Sequence, residues 1–207
     1  MSNSSARDKI LKKIRTALKD GTSKPFPLAE IPDSVFQPLQ QDIVIEFAEQ
    51  FTQLQGKFIF CTSQEELKKN FAELVQKREW TKIYTANSWT DLVPSNIKTK
   101  DIITCDAAVT DCESVVARTG SIVLSSENGG RIASVYTPVH VCIAYTSQLV
   151  YDINDAFTIL VKKYGNNLPS SISLATGPSR TADIEKTLVV GVHGPKEVYC
   201  FIIDDLQ

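Results

Sequence analysis

Apolar residues recur at helical spacing at Ile10, Leu11, Ile14 and Leu18, which predicts an amphipathic helix over residues 6–19. Ser4 or Ser5 serves as its N-cap and Gly21 lies past its end. Residues 22–40 contain Pro25, Pro27, Pro32 and Pro38 without a period, the pattern of an extended connector. Ile43, Phe47, Phe51 and Leu54 restore the helical period over 42–55, and Gly56 stops it. "KFIFC" (57–61) then reads as a short buried strand. Ser63 and Glu66 form a capping box that opens a helix through Leu67, Phe71, Leu74 and Val75. "KIYTA" (82–86) is the next strand, and a short helix near 88–92 leads to "DIITCDAAV" (101–109), one or two strand pieces. Apolar runs separated by helices predict a mainly parallel sheet covered on both faces.

The pattern changes between Ser114 and Thr146. "SVVAR", "GSIVLSS" and "VHVCIAYT" are strand-like, with Thr119-Gly120 and Asn128-Gly129-Gly130 as turns, and no helical period intervenes. Some of these strands are therefore expected to be antiparallel or hairpin-joined, a hairpin-rich insertion in the parallel sheet. Asp152 caps a helix through Phe157, Leu160, Val161 and Tyr164, ended by Gly165. "SISLA" (171–175) is a strand, and "EVYCFII" (197–203) closes the sheet. The chain thus divides into an N-terminal helix with a Pro-rich connector, 1–40, and an α/β domain, 41–207.

Composition narrows the function classes. A net charge of −2 gives no global attraction to nucleic acid. The opening twenty residues are charged throughout and lack the apolar core of a secretory signal, and no run is long enough to span a membrane. A cytoplasmic protein is expected. Five cysteines, at 61, 105, 112, 142 and 200, are scattered without a Cys-x-x-Cys pair, so neither a metal nor an iron–sulfur cofactor is expected. Residues 1–100 hold 15 of the 22 Lys and Arg. The only arginines beyond them, Arg118, Arg131 and Arg180, each lie within three residues of a glycine. That coincidence of permissive backbone and guanidinium marks the second half as the place for an anion site.

The densest candidate is "SISLATGPSRTADIEK". A strand, a Gly177-Pro178 turn and a helix start would aim backbone N–H groups at an anion, joined by Ser179, Arg180 and Thr181, with Asp183 in the first turn. The competing reading is a plain helix cap at Thr181 with a solvated Arg180. A second stretch offers Thr119, Gly120 and Ser121, then Arg131 after two glycines and His140 at a strand mouth. Hairpin turns alone would explain its glycines but not its arginines. "GVHGP" places His193 between glycines; His193 and His140 are the candidate proton-handling groups, and a lone loop histidine equally well bonds only nearby backbone.

Three stretches, "ARTGSIVLSS", "GGRIASVYTPVHVCIA" and "TGPSRTADIEKTLVVGVHGP", followed by a closing strand, resemble the lactate utilization protein C family, also called the LUD domain, over residues 57–207. The resemblance implies a Rossmann-like α/β fold similar to the sugar-phosphate isomerase and CoA-transferase group. It also implies a part in oxidation of L-lactate to pyruvate, beside partner proteins that carry the iron–sulfur motifs. Related sequences often have a glutamate where this chain has Arg118, so glutamate-based covalent chemistry is not expected here. Three roles stay open: a lactate-oxidising subunit that binds a small carboxylate or phosphate-type anion, a non-catalytic module of such a complex or of a homo-oligomer, and a transferase-like enzyme on a phosphorylated or CoA-linked substrate.

Overall fold

The computed structural model describes residues 6–17, 38–39, 41–85, 87–127, 129–182, 188–190 and 194–206; of residues 87, 130, 131, 181, 182 and 188–190 it describes the backbone alone. The chain forms two units, Met1–Pro38 and Leu39–Gln207. In the first, α1 (Ala6–Ala17) is an amphipathic helix whose Ile10 and Ile14 are about half exposed. Ser4, Ser5, Leu18, Gly21 and almost all of the predicted connector lie outside the described residues.

The second unit begins with α2 (Ile43–Gln53). Asp42 caps it, its carboxyl accepting from the Val44 and Ile45 amides at 2.9 and 3.3 Å. Phe47 and Phe51, one turn apart, are fully buried with their rings stacked at 5.3 Å. The next elements are β1 (Lys57–Cys61), α3 (Gln64–Arg78), β2 (Ile83–Thr85), a 3-10 turn (Asn87–Leu92), β3 (Lys98–Thr99) and β4 (Ala107–Thr110). The Ser63 hydroxyl caps α3 as expected, while Glu66 reaches back to the Thr62 amide and hydroxyl at 2.7 Å. Then come β5 (Ser114–Val116), β6 (Ser121–Ser125), α4 (Gly130–Tyr136), β7 (Val139–Tyr145), β8 (Leu149–Val150), α5 (Ile153–Tyr164), β9 (Ile172–Ala175), β10 (Arg180–Ala182), β11 (Leu188–Val190) and β12 (Glu197–Ile203).

Six strands form a wholly parallel sheet in the order β1-β12-β7-β4-β2-β3. β8-β5-β6-β9 form a smaller mixed sheet, in which β5–β6 and β6–β9 are antiparallel. The expected mainly parallel sheet with a hairpin-joined insertion is what forms. Side-chain parity builds the layers. Val139, Val141 and Ile143 of β7, with Tyr199, Phe201 and Ile203 of β12, pack against Leu67 and Phe71 of α3. The alternate residues Cys142, Ala144, Val198, Cys200 and Ile202 meet Phe47, Phe51, Val115, Ile122 and Leu124 between the two sheets. Val116 and Val123 turn outward from the smaller sheet to Ala156 and Leu160 of α5.

The 101–109 stretch supplies one strand piece, β4, which runs on to Thr110, and β12 lies between β1 and β7. Two expectations change. The 114–146 segment does contain a helix, α4. It has seven residues, begins after Gly129 in the left-handed region at φ 71°, and has no side-chain cap, so neither period nor cap betrayed it. The helix start at 179–181 is instead strand β10, paired antiparallel with β11 through Arg180 opposite Val190 and Ala182 opposite Leu188.

Gly120 sits in the tight turn joining β5 to β6 at φ 57°, where a Cβ would come within 2.6 Å of the Phe51 amide nitrogen. The turn and the helix backbone are in contact because no side chain separates them. Gly120→Ala should therefore lower the unfolding free energy by about 2–4 kcal/mol, combining left-handed strain and overpacking; urea titration followed by circular dichroism measures it.

Candidate functional site

His140 is the second residue of β7, opposite Ala108 of β4 and Val198 of β12. Parity turns it, with Cys142 and Ala144, toward the smaller sheet. It is fully buried, and its Nε2 lies 2.8 Å from the Thr110 hydroxyl, itself fully buried. Its Nδ1 has no hydrogen-bond partner among the described residues. Burial disfavours the imidazolium and lowers the pKa from 6.5 to about 4, so the ring is neutral near pH 7.

The imidazole lines a cavity of about 370 Å³ at the amino-terminal edge of the parallel sheet. Ser134 of α4, the end of β9, the loop Thr176–Ser179 and Pro195 complete the wall. Among the described lining residues none carries a formal charge; the polar groups are hydroxyls and one neutral imidazole. The Thr176 hydroxyl meets Ser121 Oγ at 2.9 Å, and Ser121 meets Thr119 Oγ1 at 2.8 Å, so a row of three hydroxyls backs the loop.

The loop takes its shape from its neighbours. Gly177 has φ 83°, and a Cβ there would lie 2.5 Å from the Leu54 carbonyl oxygen at the end of α2. The Arg180 guanidinium donates to that same carbonyl at 2.8 Å, a cation on the negative end of a helix. The Ser179 amide donates to the Pro195 carbonyl at 2.9 Å.

Of the candidate residues, His140, Gly177 and Ser179 meet at the cavity, and Thr119 and Ser121 join it through Thr176. Gly120 packs on α2 rather than on the cavity. Arg180 is turned to α2, and among the described residues it opens strand β10 rather than a helix. Arg118 donates to Asp152, the cap of α5, at 2.7 Å, and that hydrogen bond holds the Asp152 carboxyl below the usual carboxylate range. Arg131 and Thr181 have their backbones in α4 and β10, with side chains outside the description; Asp183 and His193 lie outside the described residues. Thr110, Ser134 and Thr176 were not anticipated. Thr176 stood within the quoted motif and was legible as a hydroxyl before Gly177, whereas Thr110 needed the β4–β7 register.

Among the described residues there is no cluster of three or more His, Cys, Asp or Glu side chains suited to a metal. No described helix is long and apolar enough to cross a membrane.

The LUD domain model matches residues 79–203. The chain belongs to the LUD domain family. "Lactate utilization protein C" of Bacillus licheniformis is 39% identical over 100 residues, 47% of this chain and 42% of that protein. The Geobacillus protein of the same name is 28% identical over 96% of each chain. In its matches to the first relatives the chain spans less than half their length, 42–46%. A crystal structure of a DUF162 family protein from Deinococcus radiodurans superposes with a TM-score of 0.58 at 18% identity, over 80% of this LUD chain and 99% of that one. That likeness shows the shared α/β fold.

The buried imidazole makes LUD-domain stability pH-dependent. An unfolded histidine titrates near 6.5 and the folded one near 4, so between those values the unfolded state holds more protons. Stability contributed by neutral His140 is complete above about pH 6.5 and falls as pH drops toward 4, by about 3 kcal/mol in total at ~1.4 kcal/mol per pH unit. Urea unfolding between pH 7 and 4.5 should show this slope, and His140→Phe should flatten it.

Proposed function

We propose that this LUD-domain protein serves lactate utilization, with the His140 cavity holding a small carboxylate such as lactate or pyruvate. The reading draws on the relatives named lactate utilization protein C and on one structural observation. That observation is the unpartnered Nδ1 of a buried, neutral imidazole at a cavity walled by the Thr176–Ser179 loop. An unmatched buried polar atom costs stability, and a bound molecule would match it. With a pKa near 4, His140 is a weak general base. Its role in this reading is to hydrogen-bond and orient the acid, while electron transfer belongs to the iron–sulfur partner proteins that the family resemblance implies. A carboxylate at Nδ1 would favour the imidazolium and bring a proton in with the ligand.

Lactate or pyruvate at a hundred times its Kd should add ~2.7 kcal/mol, or about 5–10 °C of Tm. The affinity should strengthen as pH falls from 7 toward 5, and His140→Phe should remove both effects. No shift with either acid, or a shift indifferent to His140→Phe, would sink the assignment. Phosphates or CoA shifting the protein in their place would favour the transferase-like role.

A second reading, a non-catalytic docking module, is favoured by the apolar groove of about 610 Å³ between α2 and β1, lined by Ile45, Phe58, Phe60 and Leu206 beside an edge strand. Ile45→Asp should then abolish co-elution with iron–sulfur partner proteins; unchanged co-elution would place the docking surface elsewhere.

A further inference from the structure

A separate cavity, of about 510 Å³, opens at the opposite edge of the parallel sheet from His140. Its walls come from the segments that follow the carboxyl ends of four strands. Lys68 follows β1 on α3, Ser88 and Trp89 follow β2, Asp111 follows β4, and Tyr145 ends β7. Open parallel sheets bind ligands in the crevice outside these strand ends, where diverging connections leave room between them.

Two polar atoms on its lining residues are buried without a hydrogen-bond partner among the described residues: Trp89 Nε1 and Asp111 Oδ1. The indole N–H can only donate, and an ionised carboxyl oxygen only accepts. A ligand acceptor would answer the first and a ligand donor the second. The other Asp111 oxygen accepts from the Ser88 hydroxyl at 2.7 Å, which fixes the carboxyl. The Trp89 and Tyr145 rings meet at 6.2 Å and 32°, giving the same cavity an aromatic wall. Charge does not dominate here. Lys163 is already paired with Glu113 at 2.8 Å, and the lining carries Asp91 as well as Lys68.

We infer that this cleft binds a planar heterocycle that presents a hydrogen-bond donor beside an acceptor, the edge shared by nucleobases, nicotinamide and flavin rings. The donor of that edge reaches Asp111 Oδ1, the acceptor takes the Trp89 N–H, and the ring lies against the Trp89–Tyr145 wall. The site shares no lining residue with the His140 cavity, so its test is independent of the lactate reading.

The chain has two tryptophans, so Trp80→Phe leaves Trp89 as the single indole reporter. AMP, NAD and FMN are titrated separately against Trp89 emission, and calorimetric titration of the unaltered chain reads the same affinities without a core substitution. One of the three should bind saturably, which identifies the ring. Asp111→Ala should weaken that binding roughly tenfold, the loss of one hydrogen bond to a charged group, while the protein still melts cooperatively. Absence of saturable binding to all three up to about 1 mM overturns the inference. So does an affinity that a folded Asp111→Ala leaves unchanged.

Discussion

Because β7 and β12 lie side by side with an apolar layer on each face, every residue along them must satisfy one of two cores, and parity decides which. Val141 and Phe201 belong to the α3 side, Cys142 and Cys200 to the side of the smaller sheet. A one-residue slip would exchange the two sets and bring bulky side chains against the wrong layer. The parallel register, with Cys142 opposite both Cys200 and Thr110, is therefore strongly determined. The buried thiols are part of this fit: burial raises the Cys61 and Cys105 thiols above their ordinary range, so they remain protonated and pack as small apolar groups.

His140 is where that rule is broken. It occupies an inward position that parity assigns to an apolar residue, and among the described residues its hydrogen bond to Thr110 satisfies only one ring nitrogen. The smaller sheet does not close over it, because the chain leaves β9 through a Gly-Pro turn instead of continuing along the layer. A cavity with one imidazole among hydroxyls results. Glu113 shows the contrasting solution. Burial works to raise its pKa, but hydrogen bonds from Lys163, Ser125 and Tyr164 outweigh that and hold the carboxyl below its usual range. A fully answered buried group stiffens a structure; a half-answered one leaves a place for something else.

The sequence disclosed those features that are local. Ser63 and Asp152 cap helices because a short oxygen before an apolar period can do little else, and Gly165 ends α5 at φ 57°. Family membership was legible in the "TGPSRTADIE" phrase, and the residues around it do line a cavity. Features that depend on partners distant in sequence were misread. Gly120 and Gly177 carry the signature of close approach, and α2 approaches both of them, while Gly177 also lines the cavity. Arg180 followed the same logic, since a helix carbonyl and an anion both attract a guanidinium. Thr181 is an acceptable cap, but the antiparallel register with Leu188–Val190 made the segment a strand. Tertiary pairing outweighed a local preference worth about 1 kcal/mol.

The end of α2 serves as a common reference point for two loops. The turn at Gly120 rests on the Gln50–Phe51 peptide, and Gly177 and Arg180 both rest on the Leu54 carbonyl. The outward side of the same helix, through Ile45 and Ala48, forms one wall of the apolar groove. A rigid rod gripped at one end and exposed along its side is a lever. Any body that tilted α2 from the groove would move the floor of the Thr176–Ser179 loop by a path that bypasses the sheet. Linkage makes the effect reciprocal, so filling the cavity would change how tightly the groove holds its occupant.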